Sequence, residues 1–235
     1  MGLPKIEMPL FELTVPSTKE KIKYRPYTVK EEKILLIAQE TKDFNQMMLA
    51  IEQLLTNCIV EGVTDVSKLA MFDIEFIMMA VRARSVNNVI EFRIKDPDSG
   101  DPIDLEFDVE ELEVEFPEKD YSTITVSEDY IIKMRYPSIK EMSKLQGLND
   151  ATTETLFDII MSCVDSVVNG DQVYKLSDFS QKEVAEFIDE LPKTAVDSMR
   201  DFFDYMPRLR YEAKWKNKDG EEKKADIEGL ETFFY

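Results

Sequence analysis

Ile22-Lys23-Tyr24-Arg25-Pro26-Tyr27-Thr28-Val29-Lys30-Glu31 and, 110 residues later, Ile132-Lys133-Met134-Arg135-Tyr136-Pro137-Ser138-Ile139-Lys140-Glu141 carry one physical instruction twice. Each opens in a strand pattern and closes in Thr/Ser-x-x-Glu. That is a capping box, in which the hydroxyl takes an orphan helix N–H and the Glu reaches back to the cap. Widening the window to Phe11–Glu32 against Tyr121–Met142 gives six identities in 22 positions: Ser17/Ser127, Ile22/Ile132, Lys23/Lys133, Arg25/Arg135, Lys30/Lys140 and Glu31/Glu141. A shift of 105 then sets Cys58 on Cys163, and a shift of 118 sets Asp108–Glu113 on Asp226–Glu231. Matches that arrive in the same order with slowly drifting offsets predict a duplicated unit.

The elements predicted around these anchors agree between the halves. Phe11–Val15 and Lys21–Arg25 alternate in polarity about Pro16-Ser17-Thr18 and predict a β-hairpin, as do Tyr121–Val126 and Tyr130–Tyr136. A capped helix follows in each copy. A second helix is predicted from the stripe Phe44, Met47, Met48, Ile51, Leu54, Leu55, Cys58, and again from Leu156, Ile159, Ile160, Cys163, Val164, Val167. Helices are next expected over Phe72–Arg84, from the capping box Ser180-Gln181-Lys182-Glu183 up to Pro192, and from about Lys193 to Tyr205. Each half closes on strands: Val89–Ile94 turning at Asp96–Gly100 into Ile103–Phe107, and Leu209–Lys216 turning at Asn217–Gly220 into a shorter, polar return. The fold class expected is α+β, with two similar tandem units related by a pseudo-two-fold, each β-hairpin, several helices, β-hairpin. The units are expected at 1–117 and 118–235; about 115 residues are marginal alone, which favours a shared core, while the sequence leaves open whether the units pack tightly or stand apart.

Composition narrows the function. The 235 residues hold 29 Lys+Arg against 48 Asp+Glu, a net charge of −19, and no histidine; 43% are apolar, enough for a core. Nucleic-acid binding through phosphates needs clustered cations, which are missing. The longest apolar run, Phe76–Val81, is far below the ~20 residues of a membrane span. Met1-Gly2-Leu3-Pro4-Lys5-Ile6 has no signal-peptide core, and a cytoplasmic location is expected. Cys58 and Cys163 sit in apolar patterns and are expected as buried free thiols.

Chemistry-bearing motifs are scarce. Without histidine the commonest base and metal ligand are gone; two distant cysteines make no zinc pair; no phosphate-loop, dinucleotide or nucleophile-elbow motif occurs, and there are only seven glycines. Asp96-Pro97-Asp98-Ser99-Gly100-Asp101 begins like a calcium loop, but Asp101 stands where the loop needs Gly and Phe107 where it needs Glu, so a hairpin turn is expected. Abundant carboxylates leave a carboxylate-held Mg²⁺ site open without picking out a pair. Arg25 and Arg135 are read as pairing with carboxylates of their own units, the functional alternative being partner-facing guanidinium groups. Met47, Met48, Met78 and Met79 are read as core, with an adaptable docking surface as alternative. The terminal Leu230-Glu231-Thr232-Phe233-Phe234-Tyr235 is expected to pack back on the chain.

The opening Leu3-Pro4-Lys5-Ile6, Phe11–Thr18 and Ile22–Leu36, with Met71–Phe76 and Arg82–Val86, resembles the T4-like bacteriophage baseplate protein family, which holds hub subunits and hub-assembly proteins of contractile-tailed phages. The resemblance implies a non-enzymatic protein that builds or occupies the baseplate hub. Its partners would be phage baseplate hub proteins, with no nucleic acid, membrane or cofactor. Its place would be the cytoplasm of the infected bacterium, or the virion tail baseplate. No active-site residues come with it, and neither contact residues nor oligomeric state follow. Two alternatives of other classes stand beside it: an acidic DNA mimic that inhibits a DNA-binding protein, and a cation-dependent hydrolase.

Overall fold

Polarity alternation and helix caps place most elements where they are expected. The computed structural model describes residues 6–96, 99–141, 153–217 and 220–228. By contacts the chain forms two units. One runs to Glu115 and resumes at Arg208, and the other is the intervening Phe116–Pro207. The break at Glu115 lies two residues from the expected boundary. The hairpin expected to close the second repeat, however, belongs by its contacts to the first unit.

In the first unit β1 (Phe11–Thr14) and β2 (Lys21–Tyr24) pair antiparallel, and β3 (Ile59–Glu61) adds to β2, giving the order β1-β2-β3. Two helices lie between β2 and β3. The first, α1 (Val29–Thr41), starts on the Thr28/Glu31 capping box, and α2 (Phe44–Cys58) starts on Asp43, whose carboxylate accepts the Gln46 N–H at 3.0 Å. The stripe expected on α2 is buried from Met47 to Cys58. Helix α3 (Met71–Ser85) buries Phe72, Ile74, Ile77, Met78, Met79 and Val81, so the longest apolar run of the sequence is a core helix. At its start the buried Asp73 accepts the Ser17 N–H at 2.9 Å and also the Ser17 hydroxyl, fixing the β1–β2 turn.

The β3 strand leaves through Gly62 at φ +100, where an added Cβ would stand 2.7 Å from the Lys21 carbonyl oxygen and 2.8 Å from Ile22 Cγ2. Both the backbone angle and the space demand glycine. Gly62→Ala is expected to lower stability by about 1–3 kcal/mol, read as a reduced urea midpoint with unchanged slope.

The rest of the first unit is β-structure. A ribbon joins β4 (Val89–Lys95) to β5 (Pro102–Asp108). A separate sheet has the order β12-β11-β6, from β6 (Glu113–Glu115), β11 (Arg208–Lys216) and β12 (Glu222–Glu228). The inward side of β11 buries Leu209, Ala213 and Trp215. Its attachment is specific: Leu209 faces Val114, Arg210 pairs with Glu115 at 2.6 Å, and Trp215 Nε1 donates to Asp96 Oδ2 at 3.4 Å. Tyr211 stacks on Phe107 with centroids 4.4 Å apart. These contacts are why the β11–β12 hairpin joins the first unit. β12 faces seven consecutive residues of β11, so the return is longer than expected.

In the second unit β7 (Thr123–Thr125) and β8 (Tyr130–Met134) form the expected hairpin, within the order β10-β9-β8-β7. Helical backbone begins at Ile139, and α4 (Thr153–Ser162) comes later. The helical stripe expected through Val167 is corrected here. α4 ends at Ser162, and Val164–Asn169 is β9, paired with β8. Over so short a run the 3.6 and 2 periods overlap, and the β-branched Val164, Val167 and Val168 favour the strand. β10 (Gln172–Lys175) follows across a turn at Gly170, then α5 (Gln181–Asp189) and α6 (Lys193–Asp204). The core joins Ile124, Ile132, Ile159, Val167, Met199 and Phe202.

Candidate interaction surfaces

Each capped helix start is locked by one arginine. Arg25 Nη2 pairs with Glu31 Oε1 at 3.0 Å, and Arg135 Nη2 with Glu141 Oε1 at 2.9 Å. The other oxygen of Glu31 accepts the Thr28 N–H at 2.9 Å and the Thr28 hydroxyl at 2.6 Å; that of Glu141 accepts the Ser138 N–H at 2.9 Å and the Ser138 hydroxyl. The backbone N–H of Arg25 donates to the Cys58 carbonyl at 3.0 Å, and that of Arg135 to the Cys163 carbonyl at 2.8 Å. A β-bulge precedes both arginines, at Lys23/Tyr24 and at Lys133/Met134. Burial alone would raise the pKa of each glutamate. The guanidinium, the cap hydroxyl and the cap N–H outweigh it and hold Glu31 and Glu141 at about 2. The arginines are thus committed within their own units, as the sequence predicts.

The other candidates are also internal. Met47, Met48, Met78 and Met79 are buried. Cys58 and Cys163 are buried and not joined in a disulfide, and burial pushes the Cys58 thiol up to about 11 against the opposing pull of Arg25. A thiolate is the reactive form. Both cysteines are therefore expected to resist a thiol-alkylating reagent at pH 7 until denaturant unfolds the chain, as counted by mass spectrometry. The Asp96 turn closes the β4–β5 ribbon, with the Gly100 N–H on the Asp96 carbonyl at 2.7 Å and Gly100 at φ +74. Pro97 and Asp98 lie outside the described residues, as does the terminal stretch Leu230–Tyr235. Among the described residues no group of three or more Cys, Asp or Glu is placed to hold a metal ion.

What the sequence reading does not single out are apolar surfaces. α1 leaves Val29, Leu36 and Ile37 between 53% and 64% exposed, and Leu49 of α2 is likewise exposed. Positions 29 and 36 are seven apart and share one helix face. In the second unit a groove of about 430 Å³ opens between the β8–β10 side of the sheet and α5. Tyr130 and Phe187 stack across it at 6.5 Å, and Tyr174 tilts against Phe179 at 6.4 Å. Glu183 and Glu186 of α5, with Glu190 at its C-terminal cap, edge the groove. The available signal was the stretch Val167-Val168-Asn169-Gly170-Asp171-Gln172-Val173-Tyr174, two β-branched runs about a Gly turn, which predicts a hairpin and an extra strand.

Exposed apolar helix and groove surfaces on small α+β units, with Glu31 and Glu141 paired internally to Arg25 and Arg135, suit contacts with other polypeptides. The chain belongs to the T4 bacteriophage base plate protein family, whose model matches residues 8–235. Comparison with curated proteins and with solved structures gives no match. The family places the chain's role at the phage baseplate, its association with the virion tail baseplate, and its expected partners among other phage baseplate proteins. No helix among the described residues is long and apolar enough to cross a membrane.

Proposed function

We propose that the chain is a non-enzymatic component or assembly chaperone of the baseplate hub, working in the cytoplasm of the infected bacterium through contacts with hub proteins. The observation that carries this reading is the exposed apolar face of α1, with Val29, Leu36 and Ile37 turned outward from a unit whose Arg25, Glu31 and Cys58 are all engaged internally. Large apolar side chains grouped on one helix face are the material of protein interfaces. A net charge of −19 would steer the chain toward basic surfaces of its partners.

The same reading takes the chain as internally duplicated. It is supported by the matching arginine, glutamate, cap and cysteine-carbonyl contacts, by the matching bulges, and by the shared pairing pattern of β1-β2-β3 and β7-β8-β9.

Co-expression with each baseplate protein of the same phage, followed by size-exclusion chromatography, tests the function. A stable complex with a hub protein is expected. Mass spectrometry of purified virions then separates a resident subunit from a chaperone that departs. Absence of any complex, together with normal tails from a phage lacking the gene, would sink the reading.

A further inference from the structure

The groove of the second unit sits at a free sheet edge. β10 ends the order β10-β9-β8-β7, and among the described residues no strand pairs with its outer side. All four of its residues are exposed, including Val173 and Tyr174. The first unit has no described counterpart, since its corresponding sheet stops at β3. The register explains the groove. Ile124 faces Ile132, Ile132 faces Val167, and Val167 faces Tyr174, so one row of side chains crosses the sheet on its core face. The first three are nearly fully buried, whereas Tyr174 at the open end is 38% exposed. The row is one strand short of being covered, and the groove lies where the next side chain would enter.

Charge selects the occupant. The groove's described lining includes Glu183, Glu186 and Glu190 and no lysine or arginine. Glu183 is held by the Ser180 cap, while Glu186 pairs with the exposed Lys182 at 3.5 Å, a weak surface pair.

We propose that an extended segment of another protein, carrying both apolar side chains and Lys or Arg at the every-second positions that face α5, pairs as a strand with β10. It places its apolar side chains beside Tyr174 in the groove and its cations against the α5 carboxylates. Strand addition supplies affinity through main-chain hydrogen bonds, and side-chain pockets supply selectivity. The proposal rests on the reading that the chain acts through protein contacts, and it names the surface and the chemistry.

The probe is a fluorescent synthetic peptide with Lys, Phe and Lys at successive every-second positions and Thr between them, titrated into the full chain. Binding is expected, with an affinity loss of roughly tenfold or more for a peptide N-methylated at alternate residues, and for the chain carrying Glu186→Lys and Glu190→Lys. The same charge change on α1, Glu32→Lys with Glu40→Lys, should leave affinity within about twofold. Equal loss from the α1 variant would reduce the attraction to net charge and overturn the proposal. Undiminished binding of the N-methylated peptide would overturn strand pairing. Retention of the hub complex by the Glu186→Lys/Glu190→Lys chain would remove the groove and leave the hub reading standing. Failure of the unaltered chain to form any hub complex would strike that reading, while the peptide titration still decides the groove.

Discussion

Arg25→Met is expected to lower the stability of the chain by about 3–5 kcal/mol at pH 7, the range for stranding one member of a buried ion pair. Glu31 would stay buried beneath the Thr28 cap, its side chain 2% exposed, with its principal counter-charge gone. Arg135→Met should follow in the same direction with a smaller loss, because the Arg135 side chain is 40% exposed against 23% for Arg25. Arg25→Met combined with Glu31→Leu should recover much of the loss, since a buried pair replaced by apolar groups leaves no orphaned charge. The pH dependence separates electrostatics from packing. Glu31 and Glu141 fall from 4.5 to about 2 on folding. Their contribution is thus fully present above pH 4.5 and is lost as the pH drops toward 2. Urea denaturation at pH 7 and pH 3 should show the Arg25→Met penalty shrinking in acid. A penalty of equal size at both would mean that the aliphatic stem of Arg25, and not its charge, supplies the stability.

That lock was legible in the sequence because its parts are local. Arg25, Thr28 and Glu31 lie within seven residues, and the capping box is a pattern with a mechanism. The helix starts at Thr28, Asp43 and Ser180 are equally local. Strands that join helices without a loop were not legible. Cys58 ends α2 and Ile59 already belongs to β3, while α4 gives way to β9 across Cys163 alone. A helical stripe entering a β-branched run has no break to announce the change. Non-local partners were also hidden. Nothing in Leu209–Lys216 specifies that Arg210 will meet Glu115 at a sequence separation of 95. The groove escaped for a third reason. Tyr130, Tyr174, Phe179 and Phe187 each read as ordinary apolar positions, and only the register of β10 shows that Tyr174 ends an uncovered row.

Phe202→Ala is expected to cost about 3–5 kcal/mol, a loss to be read within the second unit. Phe202 is 1% exposed in the core that holds Ile132, Cys163 and Met199. It stacks on Tyr136 at 5.4 Å and meets Phe203 edge-on at 5.2 Å. Alanine would remove both aromatic pairings and leave a cavity that α6 cannot close without moving its whole buried face. Tyr205→Ala makes the contrast: Tyr205 also stacks, on Tyr121 at 4.6 Å, but is 53% exposed, so about 1 kcal/mol is expected. The larger change should also travel along the chain. Tyr136 directly follows Arg135, whose N–H donates to the Cys163 carbonyl. Withdrawing Phe202 from Tyr136 should therefore speed hydrogen exchange at the Arg135 amide more than at the Arg25 amide, its counterpart in the first unit. Equal acceleration at both amides would show that the loss is global, and that Phe202 does not specifically support the second arginine lock.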